Sequence, residues 1–148
     1  MNNNIYLPHA AAPEELEIQT STLRLSAKCW GNPDGVPILA FHGWLDNAAT
    51  FDHLAPFLKE FRLVSLDLPG HGLSDHRSAG SSYHFSDIIV DVLEVLNVLG
   101  WNRFSLLGHS MGAGVASYLA GTIPEKISSV LLIEGLGSLA QKAEKMPE

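Results

Sequence analysis

Arg103–Ala120 reads RFSLLGHSMGAGVASYLA, and at its centre stands GHSMG, Gly108 to Gly112. Arg103–Leu107 is a short apolar run that fits a buried strand, and Ala113–Ala120 fits a helix of small and apolar residues. A serine between two glycines at a strand-to-helix turn has the sequence form of a nucleophile elbow. Such a turn forces Ser110 into a strained backbone conformation. Side chains at Gly108 or Gly112 would collide with the neighbouring elements, so glycine is required at both. The Ser110 hydroxyl is then presented at the carboxyl end of a sheet.

Upstream of the elbow, Tyr83–Leu99 carries Phe85, Ile88, Ile89, Val92, Leu96 and Leu99 at helical spacing, and Gly100 sits where a helix ends. Before it, Arg62–Leu66 reads as a buried strand that empties into the glycine-rich loop DLPGHGLSD, Asp67 to Asp75, with Ser78–Ser82 as a linker. Pro37–Phe41 is another buried strand, and it ends in HGW, His42–Trp44. Asn47–Leu54 and Pro56–Glu60 read as helical pieces whose apolar face is Phe51, Leu54, Phe57 and Leu58. Glu15–Thr20 and Thr22–Trp30 read as two antiparallel strands, the second with alternating Leu23, Leu25, Ala27 and Cys29. Downstream, the elbow helix is expected to stop at Gly121 with Pro124 beyond, and Ser128–Ile133 reads as a further buried strand ending at Glu134.

From residue 37 onward strands and helices alternate, which predicts an α/β fold. Its sheet is mostly parallel, with helices on both faces and the antiparallel pair at one edge. Residues 1–14 are expected to form a loose arm, 15–134 the core, and 135–148 a polar tail. Ending after one strand beyond the elbow leaves a sheet edge uncovered, an invitation to association.

The chain has 148 residues, 46% of them hydrophobic and 17% charged, which is a globular composition with room for a core. Its net charge of -7 argues against nucleic acid or an anionic membrane as partners. Cys29 is the single cysteine, and the N-terminus has neither a basic leader nor a long apolar run. The expected compartment is therefore cytoplasmic. The scattered histidines lack paired ligand spacing, so no metal site is expected, and nothing calls for a cofactor.

In a parallel α/β sheet ligands sit outside the carboxyl ends of the strands. HGW, DLPGHGLSD, Ser110 and Glu134 all fall there. Acyl transfer needs a nucleophile, a base, a group that orients the base and donors for the developing oxyanion. Ser110 is the nucleophile candidate. The backbone N–H of Met111 can be one oxyanion donor, and that of Trp44 the other, Gly43 letting the loop approach. His42 fits better as a hydrogen-bonding support of that loop than as a base. His109 is held by its place in the elbow, and His71 lies at the edge of the site.

GHSMG, the upstream HGW and the intervening DLPGHGLSD together resemble the α/β-hydrolase superfamily, and HGWLDNAATF with GSSYHF and LLGHSMGAG is similar to its serine hydrolase-like branch. The resemblance covers residues 15–138. It implies a hydrolase acting on a small-molecule ester or related acyl bond. Members that cleave carbon–halogen bonds or epoxides carry a carboxylate at the elbow, and this chain has serine. The family order is nucleophile, acid, histidine. Here all seven histidines precede Ser110, so the resemblance implies that only the N-terminal half of the scaffold is present. In that reading the tail is the start of a cap. Glu134 has two open readings, the catalytic acid that some members carry at this strand tip, or a carboxylate that binds loop amides.

Two other readings remain. G-x-x-x-G-x-G at Gly108–Gly114, with Glu134 downstream, has the spacing of an NAD(P)-binding strand–helix turn, but it leaves HGW and PGHG unexplained. A non-catalytic binding module on the same fold is the third.

Overall fold

The computed structural model describes residues 12–135. Their strands are β1 (Glu14–Gln19), β2 (Arg24–Gly31), β3 (Val36–Phe41), β4 (Phe61–Leu66), β5 (Phe104–His109) and β6 (Ile127–Ile133). Two α-helices, α1 (Phe85–Leu99) and α2 (Met111–Thr122), follow β4 and β5. The sheet order is β1-β2-β4-β3-β5-β6. β1 and β2 pair antiparallel, as do β2 and β4, while β4, β3, β5 and β6 run parallel. The α/β architecture with an antiparallel edge is therefore the one read from the alternation of elements.

Alternate residues of the central strands feed two cores. Leu39, Phe41, Leu66, Phe104 and Leu106 pack with Val92, Val95 and Leu96 of α1 and with Val115, Ala116 and Leu119 of α2. Ala40, Leu63 and Leu107 point the other way and meet Trp30, Phe51 and Ala55. Both α-helices thus cover one face. Two short 3-10 helices, Ala48–Phe51 and Ala55–Leu58, cover the other.

Several local expectations are corrected. The helical pieces after HGW are single 3-10 turns. Asn47 caps the first by accepting from the Ala49 N–H at 2.9 Å. Phe51 is buried there, but Phe57 is 59% exposed and does not join the apolar face. The elbow strand extends two residues further than expected, to His109. Its ladder continues beside β3 to Gly108 and beside β6 to His109. Helix α1 starts at Phe85, two residues after the expected Tyr83. Helix α2 runs through Gly121 to Thr122, and the stop comes from Pro124, which holds Ile123 out of helical geometry. β1 already begins at Glu14, inside the expected arm. β6 is not buried: Val130, Leu131 and Ile133 are 40%, 59% and 37% exposed at the sheet's edge. The expected tail, from residue 136 on, lies outside the described residues, as do residues 1–11.

Candidate active site

Ser110 stands between the end of β5 and the first residue of α2, with φ 50° and ψ −113°. That left-handed backbone is costly for a residue with a Cβ, on the order of 1–2 kcal/mol. It is held by what surrounds it. The Ser110 N–H donates to the Ile133 carbonyl at 2.9 Å, and the Ser110 carbonyl accepts from Ala113 N at 3.0 Å. The side chain is exposed.

The flanking glycines are fixed by contact. A Cβ on Gly108 would lie 2.4 Å from the Gly112 carbonyl oxygen. One on Gly112 would lie 2.1 Å from that of Phe41, the last residue of β3. The elbow and the end of β3 therefore touch backbone to backbone. This close packing brings the HGW loop alongside the serine: a Cβ on Gly43 would meet His109 Nδ1 at 3.1 Å and the Ser110 Cβ at 3.5 Å. Met111 is the first residue of α2, so its N–H is one of the helix-end amides without an intrahelical acceptor.

His42 is fully buried. Its Nε2 accepts from Leu68 N–H at 3.1 Å, which leaves the proton on Nδ1 to donate to the Gly43 carbonyl at 2.7 Å. Both ring nitrogens are thus committed to backbone, one to each loop at the mouth of the site. Burial pushes the imidazole pKa down, and the hydrogen bond to Gly43 only partly opposes it. A neutral ring with no free nitrogen is a strut between loops.

The second loop is organised by Asp67. Its buried carboxylate accepts from Ala48 N–H at 2.6 Å and Leu73 N–H at 2.9 Å. Gly72 packs so tightly on it that a Cβ there would lie 2.2 Å from the carboxylate. The ring of His71 then rests 5.0 Å from that of His42 and 6.1 Å, edge-on, from that of Trp44. This ring cluster was not anticipated from the sequence. Its only signal there is that HGW and PGHG both follow neighbouring parallel strands.

Glu134 has φ 51° and directly follows the residue whose carbonyl holds Ser110 N–H. A Cβ on Gly135 would lie 2.8 Å from the Ser110 carbonyl oxygen, so residues 133–135 wrap the elbow. His109 lies beside Gly43, and its Nδ1 is buried without a hydrogen-bond partner among the described residues. Asp46, also missed in the sequence, closes the HGW turn. Its N–H donates to the Gly43 carbonyl at 3.3 Å, and its carboxylate takes the Thr50 hydroxyl, which holds its pKa below the usual range. Leu45, inside that turn, has φ 56°.

Residues 36–147 match the family model described as alpha/beta hydrolase fold. The chain belongs to the α/β-hydrolase family. A serine hydrolase-like protein of Dictyostelium discoideum is 39% identical over 137 residues, covering 90% of this chain and 38% of that protein. Among solved structures, a hypothetical protein from Pseudomonas aeruginosa PAO1 superposes with a TM-score of 0.84 at 52% identity, over 88% of this chain and 46% of that one. The thioesterase domain from the curacin biosynthetic pathway gives 0.82 at 30% identity, over 90% and 50%. The α/β-hydrolase chain thus spans half or less of the length of each of these relatives. Its family and its strand order leave the NAD(P)-binding reading without support, because the strand–turn–helix in question is the elbow. Among the described residues no group of three or more histidine, cysteine or acidic side chains is placed to hold a metal. No described helix is long and apolar enough to cross a membrane.

Proposed function

We propose that the protein works in hydrolysis of an ester or related acyl bond with Ser110 as nucleophile. The observation that carries this reading is the left-handed, solvent-exposed Ser110 at the head of α2. Folding alone gives no reason to hold a serine at φ 50° when glycine would sit there without strain. The serine oxygen would attack the acyl carbon. The Met111 N–H, with that of Trp44 across the Gly43 contact, would receive the developing oxyanion. Glu134, beside the elbow, is the candidate acid that orients the base. The names of the relatives, a serine hydrolase-like protein and a thioesterase domain, agree with acyl chemistry.

The base is the group that this sequence leaves open. Every histidine precedes Ser110. His42 has no free nitrogen. His71 Nδ1 donates to the Pro69 carbonyl at 3.1 Å, and its ring belongs to the cluster with Trp44. A serine without a base is a weak nucleophile. The 148-residue chain is therefore expected to turn over activated esters slowly at best. The test is modification of Ser110 by a small fluorophosphonate, read by mass spectrometry, with Ser110→Ala as control. Modification at Ser110 that vanishes in the variant supports the reading. Labelling that survives Ser110→Ala removes it, and a Ser110 labelled no faster than the other serines of the chain favours the binding-module reading.

A further inference from the structure

Tyr83 belongs to GSSYHF and directly precedes His84, the residue at the head of α1. The acyl chemistry proposed for Ser110 does not use it. Its side chain is 44% exposed, so burial gives folding little reason to hold it. Its contacts nonetheless fall at both ends of the loop that follows β4. At the near end, a Cβ on Gly70 would lie 2.9 Å from the ring and the hydroxyl of Tyr83, so the tyrosine occupies the space that any larger residue would need. At the far end, the Arg77 N–H donates to the Tyr83 hydroxyl at 2.8 Å, and the Arg77 guanidinium lies 5.6 Å over the ring. One side chain thus fastens residues 70 and 77, which bracket the stretch that carries His71.

The loop of Gly43 and Trp44 leans on that stretch. The Leu68 N–H donates to His42 Nε2, and His42 Nδ1 donates to the Gly43 carbonyl. The His71 ring meets that of Trp44 edge-on at 6.1 Å. Gly43 in turn packs against Ser110. Contacts therefore run without a gap from Tyr83, through the loop after β4, to the amide that stands as the second oxyanion donor. Such a donor has to be aimed closely, because a hydrogen bond to a developing charge weakens steeply off its line.

We propose that Tyr83 is a positioning residue for acyl transfer: acting through His71, its ring holds the Trp44 N–H where the oxyanion forms. The inference rests on the reading of Ser110 as an acyl nucleophile, since that reading gives the Trp44 N–H its task.

The rate at which ethyl fluorophosphonate modifies Ser110, read by mass spectrometry, tests it. The phosphoryl oxygen of the reagent takes up negative charge where the acyl oxygen would. Tyr83→Ala should slow the modification about tenfold, less than the loss of a whole donor, because the donor is misaimed and not removed. Tyr83→Phe keeps the ring on Gly70 and should restore most of the rate. His71→Ala should slow the reaction as Tyr83→Ala does. The double variant should be no slower than either, because both act along one chain of contacts. NMR gives an independent reading: the nuclear Overhauser contact between the Trp44 indole and the His71 ring should persist in Tyr83→Phe and vanish in Tyr83→Ala. Val95→Ala controls for general looseness. Val95 is fully buried in α1, and its truncation should lower the melting temperature without changing the rate. A wild-type rate in Tyr83→Ala, a Trp44–His71 contact that survives it, additive slowing in the double variant, or equal slowing in Val95→Ala each overturns the assignment while leaving Ser110 as nucleophile. The reading beneath it fails differently. If wild-type Ser110 is modified no faster than the other serines of the chain, acyl transfer falls and takes the role of Tyr83 with it.

Discussion

At the scale of single residues, two glycines of one helix show how contact decides sequence. Gly112 and Gly121 both lie in α2, yet a Cβ on Gly112 would strike the Phe41 carbonyl, while one on Gly121 would meet nothing within 4 Å. Gly112→Ala is expected to destabilise the fold by about 3 kcal/mol, as overpacking against fixed backbone does. Gly121→Ala should instead stabilise it by about 0.5–1 kcal/mol, since alanine is the better helix former. Urea unfolding of the two variants checks both signs. The sequence marks a glycine but not whether its missing side chain is needed, which is why a helix stop was expected at Gly121 where α2 runs on to Thr122. His42 offers a second prediction. Its pKa is depressed in the folded protein, so the unfolded chain takes up the proton first as pH falls. Stability should then drop once pH passes below the unfolded imidazole value near 6.5, by at most about 1.4 kcal/mol per pH unit for one proton. His42→Asn should flatten that slope between pH 7 and pH 5.5, measured from urea midpoints.

At the scale of elements, the segment between the site loop and α1 is strapped down by one ion pair. Arg77 bonds Asp91 of α1, with side-chain exposures of 15% and 6%. The Arg77 guanidinium also lies 5.6 Å over the Tyr83 ring, and the Arg77 N–H donates to the Tyr83 hydroxyl at 2.8 Å. Tyr83 in turn fills the space above Gly70, where a Cβ would meet its ring at 2.9 Å. Burial raises the Asp91 carboxyl pKa even though Arg77 opposes it, so desolvation outweighs the pairing. Arg77→Ala is expected to cost about 3–5 kcal/mol by stranding the carboxylate. Arg77→Met with Asp91→Leu should recover most of that loss in thermal unfolding. This strap also accounts for the late start of α1. Tyr83 continues the apolar pattern, but its ring and hydroxyl are engaged by Arg77 and Gly70, and His84 is the extended residue before the helix. Periodicity registers an apolar residue; it does not register which neighbour holds it.

At the scale of the whole molecule, the mostly parallel sheet with its antiparallel edge, and the serine's place between a strand and a helix, were legible because they rest on local signals. Apolar runs, glycines and prolines punctuate the chain in the order in which the elements appear. The burial of β6 was not legible. Its sequence, ISSVLLI, is as apolar as that of an interior strand, and only the topology reveals that it is the edge strand among the described residues. The site divides in the same way. Ser110, Gly43 and Met111 follow from motif order, whereas the His42–His71–Trp44 rings and the Asp46 brace depend on which loops become neighbours. The exposed β6 face predicts behaviour in solution. Leu131→Lys is expected to lower concentration-dependent association in sedimentation without loss of helical signal, since the side chain is 59% exposed and little packing is removed.

The hydrogen bond from Ser110 N–H to the Ile133 carbonyl joins the elbow to the last described strand. During synthesis Ser110 leaves the ribosome well before Ile133 does. Until β6 docks, the serine lacks the bond that holds its backbone, and residues 133–135 have not closed around it. The left-handed backbone of Ser110 is therefore expected to be fixed only when the sheet has been laid down through β6.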